Sequence, residues 1–292
     1  MLNSWIENYM LLGLRIDKIS KKHDEYFVDS FTGPKKLSQM VNKESYKKIS
    51  DLIEDVNKLK LSLIDQNFNK IRSTFLQKHL EAMEMTLRIL NNEKVSLKKQ
   101  VKSCLDVDME WIPEKNLEKG LNFFKEGLGV KKDSYKAFNN WYERNNYNFK
   151  NLEEKKEIIN EVIDLVRKRT KKIIDLPLQE KVEVEMVSNK NFGAATWYLG
   201  NYKSLLQVNQ DIPFNLFYLL AIISHELYPG HHTELCMKEK YQLNEMDYKE
   251  EQIFLLNSPR LVISEGIAEV AFDQIFSAEE AADWMIDNIY KR

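Results

Sequence analysis

At 292 residues the chain is long enough for one large domain or two coupled ones, on a loose scale of about 150 residues per domain. Hydrophobic residues make up 43% and charged residues 30%, so a sizeable core can form. The 43 basic and 45 acidic side chains leave a formal charge of −2, which is not the basic footprint of a nucleic-acid binder. The two cysteines, Cys104 and Cys236, form no CxxC pair, which argues against a disulfide framework and against a cysteine-ligated zinc.

Near the N-terminus, Glu7 stands where a signal peptide would be basic, and Asn8 and Arg15 interrupt the apolar stretch. No run approaches the ~18 apolar residues of a membrane span. The expectation is a cytoplasmic chain with neither a membrane nor a nucleic-acid partner; its oligomeric state is not legible. Nine glycines and six prolines are few for a turn-rich sandwich or barrel and favour long helices.

Trp5, Ile6, Tyr9, Leu12, Ile16 and Ile19 recur at three- and four-residue steps and predict an amphipathic helix. After a break at Gly33-Pro34, similar stripes run from Ile49 to Leu63 and from Ile71 to Leu90. His79, on the last of these, reads as a surface or helix-packing histidine. Trp111-Ile112-Pro113 closes the region. A short helix is expected over Tyr135–Arg144 and a long charged one from Leu152 to Ile174, stopped by Leu176-Pro177.

The pattern then changes to a period near two. Val182, Val184 and Met186 alternate with glutamates, and two further short runs flank Gly200-Asn201. These predict two or three antiparallel strands with a tight turn. The run Phe214 to Leu227 is almost wholly apolar and reads as a buried helix. Helices are expected at Glu245–Leu256 and Arg260–Phe276, with a capping box at Ser277-Ala278-Glu279-Glu280 opening a last one. The expected fold is α+β, predominantly α-helical, with a small antiparallel sheet before a buried helix that carries the histidines. A helical region would span 1–175 and a sheet-plus-helix region 176–292, as one continuous fold.

Three of the five histidines, His225, His231 and His232, fall within eight residues. A hydrolytic zinc site needs three protein ligands, an open position and a base for the attacking water. His225-Glu226 begins an HExxH motif, but Pro229 occupies the position four along. Proline removes a helix hydrogen bond and clashes with the preceding turn, and Gly230 adds backbone freedom. A bulge there that absorbs two or three residues would bring His231 or His232 beside His225. Consecutive helical residues differ by about 100°, so one of the pair would be a ligand and the other either a pocket residue or one behind the ligands; with His231 as the ligand, His232 would face the substrate. The smaller bulge favours His231. The third ligand is expected from Ser264-Glu265-Gly266-Ile267-Ala268-Glu269: Glu265 as the ligand, and Glu269, one turn on, orienting a ligand histidine.

His225-Glu226-x-Tyr228-Pro229-Gly230-His231-His232 followed by Glu265-Gly266-x-Ala268 resembles the signature of the domain-of-unknown-function 885 family. These are bacterial proteins regarded as zinc metallopeptidases of the thermolysin-like, or gluzincin, kind. Trp197–Ser204 and, more weakly, Arg72-x-x-Phe75-Leu76 resemble other family segments, so the likeness runs from about residue 70 to 275. It implies that His225, one of the paired histidines and Glu265 bind metal, that Glu226 is the base, and that 176–292 is the catalytic region, with a zincin-like small sheet before a buried active-site helix. Ile267 stands where the family commonly has tryptophan. Family members usually continue through further helices beyond the position of Arg292, so the resemblance implies a chain short at its C-terminus.

The expected activity is hydrolysis of a peptide or small amide with one zinc ion per chain. Tyr198, Tyr202, the non-ligating histidine (His232, if His231 binds) and Arg260 are candidate donors to the oxyanion. The alternatives are a non-peptide amide hydrolase and a helical binding or scaffold protein with an incomplete metal site.

Overall fold

The computed structural model describes residues 3–144, 146, 151–212 and 216–291, without the side chains of 216 and 217. The expected helix start at Phe214, and Arg292, lie outside the described residues. The architecture is predominantly helical α+β.

Helix α1 (Ser4–Ser20) starts where the Asn3 side chain accepts from the Trp5 amide, and it buries its apolar stripe. Helix α2 (Lys35–Lys43) follows, then α3 (Ile49–Ser62) and α4 (Lys70–Leu90). Their stripes form one core, including Tyr9, Leu12, Ile16, Leu52, Val56 and Met83. Helix α2 went unread because in nine residues only Leu37 and Val41 turn inward. Beyond α5 (Leu97–Leu105), α6 (Glu114–Gly127) and α7 (Ser134–Arg144) comes α8 (Leu152–Thr170). The α8 stripe of Ile158, Ile159, Val162 and Val166 packs into a second core with residues of the C-terminal region. In packing, therefore, α8 belongs with the region that follows it.

Strand β1 (Val28–Phe31) lies between α1 and α2. Strands β2 (Lys181–Val187), β3 (Ala194–Gly200) and β4 (Lys203–Asn209) form a sheet of order β2-β4-β3. The β3–β4 hairpin is antiparallel as expected, turning where Gly200, Asn201 and Tyr202 all have positive φ. The β2–β4 pairing is parallel, which corrects the all-antiparallel expectation. The hairpin enters the sheet through β4, so β4 lies between β2 and β3; its Leu206 and Val208 are fully buried in the second core, against which Val182, Val184 and Met186 of β2 also pack.

Strand β5 (Ile253–Leu255) takes the end of the segment expected as a helix over Glu245–Leu256. A π-type turn ends at Glu245, and a 3-10 turn covers Lys249–Gln252. Ile253, Phe254 and Leu255 are all buried. A helix could turn only part of such a run inward, whereas pairing with β1 satisfies the backbone while the side chains on both faces are covered. The pairing is antiparallel and bulges at Asp29, between Val28↔Leu255 and Ser30↔Phe254. Together with the two-pronged Arg72–Glu250 ion pair, at 2.6 Å for each bond, it ties the N-terminal helices to the C-terminal region.

The remaining helices are α9 (Leu216–Glu226), α10 (His231–Lys238), α11 (Pro259–Glu269), α12 (Ala271–Ile275) and α13 (Ala278–Met285). The single helix expected over Arg260–Phe276 is broken at Val270 into α11 and α12. The capping box opens α13 as expected: Ser277 accepts from the Glu280 amide at 3.1 Å, and the Glu280 carboxylate accepts from the Ser277 amide at 3.0 Å. Among the described residues no helix is long and apolar enough to cross a membrane.

Candidate metal centre

The candidate site forms where the helix carrying His225 breaks. Helix α9 ends at Glu226 and α10 begins at His231, with Leu227 to Gly230 as the turn and a cis Tyr228-Pro229 peptide. Across this turn the Gly230 amide donates to the Ser224 carbonyl at 3.0 Å and the Thr233 amide to the Leu227 carbonyl at 3.0 Å. Each bond spans six residues rather than the four of an α-helix, so the junction absorbs two residues. It does so as a break between two helices, not as a bulge within one.

The consequence is geometric. His225 and His231 lie beside each other, ring centroids 4.8 Å apart and perpendicular. Glu265 reaches in from α11, with Oε2 3.6 Å from His225 Nε2 and Oε1 3.8 Å from His231 Nε2. One donor atom from each of the three lies within 4.8 Å of the other two. Bonds of ~2.0–2.1 Å in a tetrahedral arrangement place donors about 3.3 Å apart. Two of the contacts are already within about 0.5 Å of that, and two imidazoles plus a carboxylate are a donor set suited to zinc. The residues present therefore fit such an ion.

A network the sequence reading missed holds His231 in place. His231 Nδ1 lies 3.2 Å from Ser264 Oγ, Ser264 donates to the Glu234 carboxylate, and Glu234 pairs with Lys238. The only available signal was position: Ser264 precedes Glu265, and Glu234 lies three residues after His231 on the same helix face. Asp29 was missed as well. Burial pushes its carboxyl above the usual range, His231 and Arg260 oppose that shift, and Glu265 and Glu226 add to it. It belongs to the electrostatic surroundings of the site, at a bulge that no local periodicity announces.

His232 corrects an expectation. It is 0% exposed and cannot face a substrate. Its Nδ1 lies 2.7 Å from Ser204 Oγ and its Nε2 3.3 Å from Glu180, while its ring packs edge-on against Tyr228 at 5.0 Å. The reason is the turn of about 100° between neighbours: with His231 toward Glu265, His232 must enter the core. Burial would raise the Glu180 carboxyl, but hydrogen bonds from His232, Tyr228 and Arg167 hold it below its usual range.

The tyrosines are directed elsewhere too. Tyr198 donates to Glu239 at 2.6 Å, and Tyr202 accepts from Asn244 at 2.8 Å. Buried Arg260 donates to the Ile253 carbonyl at 3.2 Å and stacks 4.5 Å over Phe254, so it braces β5 rather than pointing to an oxyanion. Glu269 makes no hydrogen bond to His225 or His231 among the described residues; it lines a cavity instead. His79 is a packing histidine: Tyr9 lies 2.7 Å from its Nδ1, and burial, then Arg260 and Lys238, push it down to about 3.

Glu226 follows His225 at the C-terminal end of α9, and its carbonyl accepts from Thr196 Oγ1 of β3 at 3.0 Å. Its side chain, with His225, borders a cavity of about 500 Å³ walled by α9, β3, α11 and α12. Tyr218, Ala221 and Ile222 of α9 face this space. The apolar run read as a fully buried helix thus packs one face into the core and lines the cavity with another.

No family model and no curated protein matches the chain. Among solved structures it is similar to the "putative lipoprotein from Colwellia psychrerythraea", at 15% sequence identity and a TM-score of 0.45. The alignment covers 80% of this chain and 50% of that one, so the chain spans about half its length.

Proposed function

We propose that the protein is a zinc-dependent hydrolase, and specifically a metallopeptidase. The observation that carries this reading is the convergence of His225, His231 and Glu265, from three helices, beside a cavity that Glu226 also borders. These three side chains would hold one zinc ion per chain. When bound, zinc polarises a carbonyl and makes a water acidic near neutral pH.

Glu226 is the residue placed to move protons. It follows a ligand directly, opens onto the cavity, and has no part in the triad. Its carboxylate takes the proton of the attacking water, the water oxygen bonds to the substrate carbonyl carbon, and the C–N bond breaks as Glu226 returns the proton to the leaving nitrogen. Ser264, through Glu234, keeps the His231 ring turned toward Glu265.

Elemental analysis of chelator-free protein, combined with hydrolysis of a mixed peptide library, tests the reading. About one zinc per chain with peptide turnover supports it. Metal without any turnover favours a binding or scaffold protein, and turnover of acyl-amides alone favours an amidase. No stoichiometric transition metal overturns the proposal.

A further inference from the structure

The cavity beside Glu226 has a composition that selects among substrates. Its walls are apolar, with Tyr218, Ala221 and Ile222 of α9 facing Phe272 of α12, and its volume of about 500 Å³ accommodates a long side chain. Three titratable residues line it: His225, assigned above to the metal, and the acidic Glu226 and Glu269, with no lysine or arginine among the described residues. Glu226 is assigned above to proton transfer. Glu269 makes no ion pair and no hydrogen bond among the described residues, although it stands at the end of α11 beside the apolar wall. A free carboxylate at the edge of an apolar pocket complements an aliphatic stem that ends in a cation and repels an acidic group.

We propose that this cavity receives a substrate residue carrying a cationic nitrogen, and that Glu269 pairs with that cation. The proposal rests on the hydrolase reading and names its substrate class. Glu269 then acts as a specificity residue: it distinguishes lysine or arginine from an uncharged residue of similar shape. The same chemistry could come from a free N-terminal ammonium, which the experiment separates from a side chain.

The test uses the metal-loaded full chain and its Glu269→Gln and Glu269→Lys variants. Peptides blocked at both ends carry lysine, norleucine or glutamate on either side of the scissile bond, and a second set carries neutral residues with a free or acetylated N-terminus. The wild type is expected to favour lysine over norleucine by about 2- to 5-fold in kcat/KM, the worth of one ion pair at an exposed carboxylate. In Glu269→Gln that ratio falls toward one, and in Glu269→Lys the preference turns to glutamate. A preference confined to the free N-terminus, and lost in Glu269→Gln, places the terminal ammonium in the cavity.

Peptide turnover with no cation preference overturns the proposal while leaving the hydrolase reading intact. So does a Glu269→Gln variant that loses lysine and norleucine peptides in equal proportion together with its metal, since that is the behaviour of a group positioning His225. If the wild type cleaves nothing, the hydrolase reading fails separately. Calorimetric binding of blocked lysine amide against norleucine amide then decides the cavity, and equal binding of the two rejects it.

Discussion

The α-carbon of Gly230 lies so close to His225 that a β-carbon built on it would come 1.8 Å from the His225 carbonyl oxygen. That oxygen is backbone in α9 and cannot swing aside, so only glycine permits the chain to double back and set His231 beside His225. Gly230→Ala must open the junction. It is expected to lower stability by about 3 kcal/mol or more, the upper end of overpacking penalties, and to lose the metal. Urea unfolding and a zinc competition titration check both, and an unaltered zinc affinity would contradict the role given to this turn.

The neighbouring histidines should separate cleanly. His231→Ala removes a donor of the triad, so zinc binding is lost while the fold survives. His232→Ala leaves the triad intact but takes a buried partner from Glu180 and Ser204. Its expected effect is lost stability, of about 1–3 kcal/mol for unsatisfied buried polar groups, with zinc retained. Metal titration and thermal unfolding on the two variants decide the matter, and the reverse pattern would exchange the roles.

Ser264→Ala probes the support of His231. Outer partners of metal-binding histidines are typically worth ~10–100-fold in affinity, and a loss in that range is expected. Glu265→Ala should lose far more zinc affinity than Glu269→Ala, because Glu265 sits 3.6 and 3.8 Å from the two histidines while Glu269 faces the cavity. Equal affinities for these two variants would refute the assignment.

Glu226→Gln keeps the shape and the hydrogen-bonding capacity of the side chain but cannot accept the proton. Hydrolysis is expected to fall by roughly 10²–10⁴-fold, the usual share of a general base, with the zinc content unchanged. Full activity in this variant would remove Glu226 from the mechanism.

His79 gives the N-terminal core a pH dependence. Its pKa is held at about 3 in the folded chain, against 6.5 for the free side chain, so between those values the unfolded state binds more protons. Stability is therefore fully present above pH 6.5 and declines as the pH falls toward 3. His79→Leu should flatten that part of a stability-against-pH curve measured by denaturant unfolding. An unchanged slope would place the acid sensitivity elsewhere.

Much of this molecule was legible in local pattern. The Trp5-to-Ile19 stripe, the stripes of α3 and α4, the capping box at Ser277 and the hairpin turn at Gly200 depend on neighbours within a few residues, which sequence periodicity reports directly. The same holds for the choice of His225, Glu226 and Glu265 as residues of interest, and for the expectation that Pro229-Gly230 would interrupt the helix. Where the reading failed, the deciding contact was distant. Ile253-Phe254-Leu255 became a strand because β1, more than 200 residues earlier, offered it an edge. Short apolar runs do not distinguish strand from helix without such a partner.

What the sequence by itself determined is the chemistry within reach: two imidazoles and a carboxylate, a donor set of the kind that holds metals, a glutamate beside them, and a helix broken by proline and glycine. What only the tertiary structure decided is which way each group faces. His231 meets Glu265 across 34 residues of chain, a bulge in β1 brings Asp29 into their electrostatic surroundings, and His232 and Tyr198 turn to the carboxylates of Glu180 and Glu239. Helical rotation fixes only the angle between adjacent residues; the absolute direction is set by how α10 and α11 dock, and docking is the summed result of burial across the whole chain.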